Sequence, residues 1–141
     1  NEQQQMAQVT TSLETSTPVV AKKRTNYEAE LMDRMSSVPE NNMTNAGEVF
    51  EAWDKELNKV YKLLMSELSD NQKTRLRNEE RAWLKRMVSE TKKSVYEMCG
   101  GDEVNGQACG TGATLAEIGT KLDMTKERTI ELARMYDELH K

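Results

Sequence analysis

Few side chains in this chain could carry out catalysis or bind a metal ion. The single histidine, His140, is the penultimate residue, so a histidine-based catalytic site would have to form at a fraying chain end. Two cysteines, Cys99 and Cys109, and this one histidine fall short of the four ligands of a structural zinc site. A glycoside hydrolase would need a second carboxyl group facing Glu80, and nothing in the sequence identifies one. The sequence therefore predicts a protein that is not an enzyme and that uses no metal or other cofactor.

Both cysteines lie in the one glycine-rich segment of the chain. Residues 99–113 hold five of the seven glycines, and this flexible segment can bring Cys99 and Cys109 to bonding distance. A disulfide closing so short a loop would stabilise the fold by roughly 3 kcal/mol. An oxidising compartment favours this disulfide, whereas a reducing one favours two free thiols. The polar tip of the loop is either simply solvated or forms an acidic surface for a basic partner; its residues are Asp102, Glu103 and Asn105.

Composition and charge favour a helical protein whose partner is another protein. Of 141 residues, 36% are hydrophobic and 31% are charged, so the core is thin and suits helices that bury one face each. The formal net charge of -4 argues against a nucleic-acid binder, which needs basic side chains to neutralise phosphates. No stretch approaches the roughly 20 apolar residues that a membrane-spanning helix needs.

Apolar residues recur every three or four positions in four segments, and this spacing predicts four helices. Ser69 stands three residues before Gln72, which predicts a capping box that restarts the chain after a tight turn. So short a connection folds the second and third helices into an antiparallel hairpin. The predicted fold is all-α, with this hairpin, a long C-terminal helix, an N-terminal helix and one glycine-rich disulfide loop. The predicted helices cover residues 20–37, 47–68, 70–98 and 114–139.

The third predicted helix is basic and its flanking segments are acidic. Residues 70–98 hold eight basic and five acidic side chains. Residues 1–69 hold seven basic and eleven acidic ones, and residues 99–141 hold five and eight. The favoured interpretation is that the basic helix forms ion pairs with its acidic neighbours inside the bundle, at small individual gain. The alternative is a basic stripe that faces a ligand.

A series of short motifs resembles a known family. The chain reads D-K-E-L-N-K-V-Y at residues 54–61, L-R at 76–77, E-R-A-W-L at 80–84 and L-D-M-T-K-E-R-T-I-E-L at 122–132. In this order the motifs resemble the LprI-like lysozyme-inhibitor family over about residues 43–139. The resemblance implies an all-helical, exported protein that is not an enzyme, with lysozyme inhibition attached to at least one member. Export would also favour the disulfide between the two cysteines.

Residues in and beside these motifs are predicted to stabilise the fold. We expect Trp53 and Trp83 to pack in the core rather than to stack on sugars. We expect Glu80 to bond to Arg81 or Asn58 in a buried network that ties the hairpin together. The full set of motif residues is Trp53, Leu57, Asn58, Tyr61, Glu80, Arg81, Trp83, Thr125 and Arg128.

Two functions are consistent with the sequence. The first is an exported inhibitor, periplasmic or secreted after removal of a signal peptide, that occludes a basic, lysozyme-like peptidoglycan hydrolase. The alternative is a structural, adaptor or assembly subunit of the bacterial envelope that binds another protein through its N-terminal region. The predicted organisation has a tail and an extra helix in residues 1–40 and the family's helical domain in residues 41–141.

Overall fold

The computed structural model describes residues 24–39, 45–100 and 111–141, and every regular element among them is an α-helix. The all-α prediction is confirmed. The part of the chain that is described contains no helix long and apolar enough to cross a membrane. The helices are α1 (Tyr27–Ser36), α2 (Ala46–Glu67), α3 (Asp70–Met98) and α4 (Thr111–Leu139).

The turn between α2 and α3 is fixed by the predicted capping box. The backbone N–H of Gln72 donates to Oγ of Ser69 over 3.3 Å, and the backbone N–H of Ser69 donates to the Gln72 side chain over 3.0 Å. Two of the amide groups that a helix start leaves without partners are thereby satisfied. The chain reverses within two residues, Leu68 and Ser69, as the hairpin prediction requires.

The C-terminal helix, α4, is the element on which the other three helices pack. The backbones of α2 and α3 approach each other less than each approaches α4. Along α2, Trp53 lies beside Thr129 and Glu67 lies beside His140, so α2 and α4 run parallel. His140 is only 7% exposed, and its Nε2 lies 2.9 Å from Oε1 of Glu67. The prediction that His140 sits at a fraying end is therefore wrong, because its ring is fastened to the end of α2.

Helix α3 runs antiparallel to α4. Glu80 pairs with Arg128 near one end of the contact, and Ser94 accepts a hydrogen bond from Thr120 near the other. α4 begins at Thr111, three residues before the predicted start.

The core consists of two apolar clusters that share α4. Trp53 and Trp83 are 2% and 4% exposed, which confirms that both pack in the core. The first cluster joins α2, α3 and α4 and contains Leu57, Val60, Leu64, Leu76, Trp83 and Leu132. The second joins α1, α2 and α4 and contains Leu31, Met35, Val49, Trp53 and Ala133.

Helix α1 begins later than its sequence pattern predicts. Within the described residues, Arg24 to Asn26 are not helical, and the helix starts at Tyr27 instead of residue 20. The carboxylate of Asp137 on α4 explains this start. Its Oδ1 accepts from the backbone N–H of Tyr27 over 2.7 Å, and its Oδ2 accepts from that of Glu28 over 3.0 Å. The side chain of Asp137, which is distant in sequence, thus caps α1 in place of a local N-cap residue.

Candidate functional site

Most of the residues that carry the family motifs surround a groove between α2 and α3. Its volume is about 340 Å³. We call it the α2–α3 groove. The wall from α2 is formed by Asp54, Leu57, Asn58 and Tyr61. The wall from α3 is formed by Arg77, Glu80, Arg81, Trp83, Leu84 and Met87.

Helix periodicity explains which of these side chains form the floor and which form the rim. Leu57 and Trp83 are 4% exposed and belong to the core. The next residue on each helix, Asn58 on α2 and Leu84 on α3, is exposed. Its side chain points about 100° around the helix axis from that of its buried neighbour. The groove therefore has an apolar floor and a rim of side chains that a partner can reach.

Six of the nine predicted motif residues line this groove, and the other three lie elsewhere. Trp53 belongs to the core cluster of α1, α2 and α4. Thr125 and Arg128 are on α4, where they are 1% and 9% exposed. The six that the structure brings together are Leu57, Asn58, Tyr61, Glu80, Arg81 and Trp83.

An ion pair with α4 holds the α3 wall in place. Nε of Arg128 donates to Oε1 of Glu80 over 2.8 Å, and its Nη1 donates to Oε1 of Glu131 over 3.1 Å. Burial acts to lower the pKa of Arg128, but the hydrogen bonds and charges of the two glutamates raise it above its ordinary value. Arg128 is therefore a permanent cation that fixes Glu80.

The predicted partners of Glu80 are wrong. Arg81 and Asn58 are both exposed, and Arg81 contacts Asn78 on its own helix. The pairing of Glu80 with Arg128 joins positions 48 residues apart, which spacing along the sequence does not reveal. Arg81 and Asn58 are left on the rim of the groove.

The basic side chains of α3 do not pair with acids of the helices that the structure describes. None of its eight Lys and Arg residues takes part in an ion pair in the part of the chain that the structure describes. The favoured prediction of internal pairing is therefore wrong. The acids of α3 that do pair, Glu79 and Glu80, bind Arg128 of α4 instead.

The cations and several apolar side chains of α3 share one exposed surface. We define the α3 ridge as Arg77, Arg81, Leu84, Lys85 and Val88, which are linked by steps of three and four residues and are all exposed. Leu84 is 47% exposed and Val88 is 53% exposed. These two side chains, like that of Met98 at 56%, are apolar residues of α3 that lie outside its buried face.

The surface of α2 next to the groove is also basic. Lys55, Lys59 and Lys62 line a shallow depression that shares Asn58 with the groove. Two acids line the groove itself, and one of them, Glu80, is already paired. A chain with a formal net charge of -4 thus carries a cationic surface around its family motifs.

The predicted loop site lies outside the described residues. Cys109, Asp102, Glu103 and Asn105 all fall in residues 101–110, so the acidic loop surface stays a prediction. Cys99 is half-buried at the end of α3. Within the described residues no cysteine is a free thiol, which agrees with the predicted pairing, but the pairing itself stays a prediction.

A comparison with known protein families gives a match. A family model described as lysozyme inhibitor LprI matches residues 32–132. No curated protein and no solved structure matches the chain. The matched range begins in α1 and ends in α4, so it includes both walls of the α2–α3 groove and the Arg128 that fastens one of them.

Proposed function

Because the chain belongs to the LprI family of lysozyme inhibitors, we propose that it is an exported protein, not an enzyme, that binds a lysozyme-like peptidoglycan hydrolase and inhibits it by occlusion. The match of the family model over residues 32–132 carries this proposal. Under it, the protein works in the periplasm or outside the cell, where Cys99 and Cys109 would form a disulfide.

The α2–α3 groove and the α3 ridge have the composition of a protein-binding surface. Protein interfaces combine a few apolar or Arg anchors with a polar rim that excludes water. Leu84 and Val88 supply apolar anchors here, and Arg77 and Arg81 supply cationic ones. These residues project from a helix that is buried on its other side through Leu76 and Trp83, so little order would be lost on binding.

The first experiment is inhibition of hydrolase activity by the purified protein. We expect lysis of a cell-wall suspension by a lysozyme to slow as the protein is titrated in at micromolar concentration. Lysozymes of several types should be tried, because the family match does not select among them. Failure to inhibit any of them at micromolar protein would refute the proposed function.

A matched pair of variants tests whether the α3 ridge takes part. Leu84→Asp places a charge at the ridge, whereas Met32→Asp places one at a similarly exposed apolar side chain of α1, which is 41% exposed. Both changes lie at exposed positions, so both variants should fold. We expect Leu84→Asp to lose inhibition and Met32→Asp to keep it. Equal inhibition by the two variants would exclude Leu84 from the interface.

The acidic loop is a second proposed contact and needs its own variant. Changing Asp102→Asn and Glu103→Gln together removes its two charges and leaves the side-chain volumes nearly unchanged. A slower association rate with a basic hydrolase is the expected result, since charges at a distance act mainly on encounter. An unchanged association rate would remove the loop from the proposal.

Dependence on the N-terminal region is tested by removing residues 1–23 only. A deletion through residue 40 would also remove Leu31 and Met35 from the core and would unfold the protein for an unrelated reason. An inhibitor that acts through α2 and α3 should keep its activity after the shorter deletion. Loss of inhibition would instead assign the binding surface to the N-terminal region.

A further inference from the structure

Among the described residues, the cations of the α3 ridge have no acidic partner, and exposed apolar side chains lie beside them. Arg77, Arg81 and Lys85 form no ion pair in the described part of the chain. Leu84 and Val88 lie among them and are about half exposed. A partner that covers these apolar groups must also cover the cations, and a covered cation without an acidic partner is strongly unfavourable. The partner must therefore offer carboxylates around an apolar patch.

A hydrolase of glycosidic bonds has such a surface in its substrate cleft. Its chemistry requires two carboxyl groups that flank the scissile bond, at the bottom of a cleft long enough for a polysaccharide. A single helix with its side chains is about 10 Å across, which suits insertion into an elongated cleft. The planar guanidinium group of arginine can donate two parallel hydrogen bonds to one carboxylate.

We infer that the α3 ridge enters the substrate cleft of the hydrolase, with Arg77 and Arg81 bound to the carboxylates of the cleft and Leu84 and Val88 packed against its walls. This inference rests on the proposed function and assigns the part of the molecule that performs it. Arg81 lines the α2–α3 groove, and the buried Trp83 two positions later anchors the same turn of helix in the core.

The charge distribution of the whole chain fits this placement. Lysozymes are basic, so a net charge of -4 favours encounter over long distances. At contact distance the cations of the ridge would face the few acids of the cleft, where desolvation makes each pairing more selective. Attraction at long range and pairing at short range then involve different parts of this chain.

The inference is tested by two charge-reversal variants with the same change in net charge. The double variant Arg77→Glu and Arg81→Glu reverses the ridge. The double variant Arg86→Glu and Lys93→Glu is the control. Those two residues line a depression between α3 and α4 that contains no residue of the ridge. We expect the ridge variant to need at least about tenfold more protein for half inhibition, and the control to stay within about threefold of the parent. Circular dichroism should show that both variants are folded.

Competition with a saccharide gives a second readout. A chito-oligosaccharide that occupies the cleft of the lysozyme should displace the protein, and the inhibition should be competitive with the cell-wall substrate. Binding that is insensitive to the saccharide, or equal inhibition by the two charge-reversal variants, would overturn the inference while the proposed function stands. Absence of inhibition by the parent protein would overturn both.

If the protein instead sediments with purified cell wall in the absence of hydrolase, and the ridge variant does not, the ridge binds the polyanionic substrate and the inference is wrong.

Discussion

Replacing Asp137 by asparagine should loosen α1 from the rest of the molecule. Both carboxylate oxygens of Asp137 accept backbone hydrogen bonds at the start of α1, one from Tyr27 and one from Glu28. The hydroxyl of Thr25 donates to the same carboxylate. An asparagine keeps one acceptor oxygen, but its amide group turns a donor toward the second backbone N–H.

The magnitude follows from the bonds that are lost. Removing a helix N-cap costs about 0.5–2 kcal/mol, and hydrogen bonds to a charged group contribute about 1.5–3 kcal/mol. Because Asp137 is partly exposed and asparagine keeps one bond, we expect Asp137→Asn to lower the free energy of unfolding by about 1.5 kcal/mol at pH 7. For a chain of this size that corresponds to a Tm lower by about 5 °C.

The pH dependence provides a check that is independent of the size of the effect. Burial acts to raise the pKa of Asp137, but the hydrogen bonds from Glu28, Thr25 and Tyr27 together lower the pKa below its ordinary value. A lowered pKa in the folded state means that the contribution is complete above the pKa of the unfolded chain, near 4, and is lost as the pH falls through the folded-state pKa. The difference in stability between the parent and Asp137→Asn should therefore be largest at neutral pH and shrink below about pH 4.

Urea unfolding at a series of pH values measures this difference directly. Glu138→Gln is the matched control, because it removes the same charge from the next residue, whose ion-pair partner is the terminal Lys141. We expect the control to change stability by less than about 0.5 kcal/mol. A difference for Asp137→Asn that persists unchanged at pH 2.5, or that equals the control at pH 7, would refute the capping argument.

Three further predictions concern the core, the ion pair and the cysteines. Leu132→Ala, at a fully buried position of α4, should destabilise the fold by about 3 kcal/mol in urea unfolding, and a loss below about 1 kcal/mol would contradict its central place. Arg128→Met should lower the free energy of unfolding by about 2 kcal/mol, because it leaves the carboxylate of Glu80 without its cation. Adding Glu80→Gln should restore part of this stability. A second loss of equal size would contradict the pairing. Alkylation of Cys99 and Cys109 should require prior reduction in protein isolated under oxidising conditions, and two alkyl groups by intact mass before reduction would exclude the disulfide.

Helices and their connection could be predicted from the sequence because local rules determine them. The bounds of α2 and α3 lie within one residue of the prediction, since apolar spacing defines the helices and the capping box of Ser69 and Gln72 defines the turn. The start of α1 could not be predicted in this way. It depends on Asp137, about 110 residues away in sequence, which no local pattern connects to Tyr27.

The sequence predicts the groove residues as stabilisers of the fold and does not identify the surface that they form. Leu57, Asn58, Tyr61, Glu80, Arg81 and Trp83 are six of the nine motif residues, and the structure brings these six together around one groove. On α3, however, apolar residues occur in adjacent pairs, such as Trp83 and Leu84, whose side chains point about 100° apart. The position of α4 decides which residue of each pair is buried. The exposure of Leu84 beside the cations of the ridge therefore follows from the tertiary structure and not from the spacing of residues in the sequence.

The central place of α4 bears on when this chain can fold during its synthesis. Before residues 111–139 leave the ribosome, α1 has no carboxylate at its start and both core clusters lack the residues that α4 contributes. The contacts that complete the core join segments about 50 to 110 residues apart, and contacts of such long range slow folding relative to a bundle built from neighbours. We therefore expect a nascent chain that stops at residue 110 to have helical segments without a stable tertiary structure. Folding of the four-helix unit that the structure describes therefore follows the synthesis of α4.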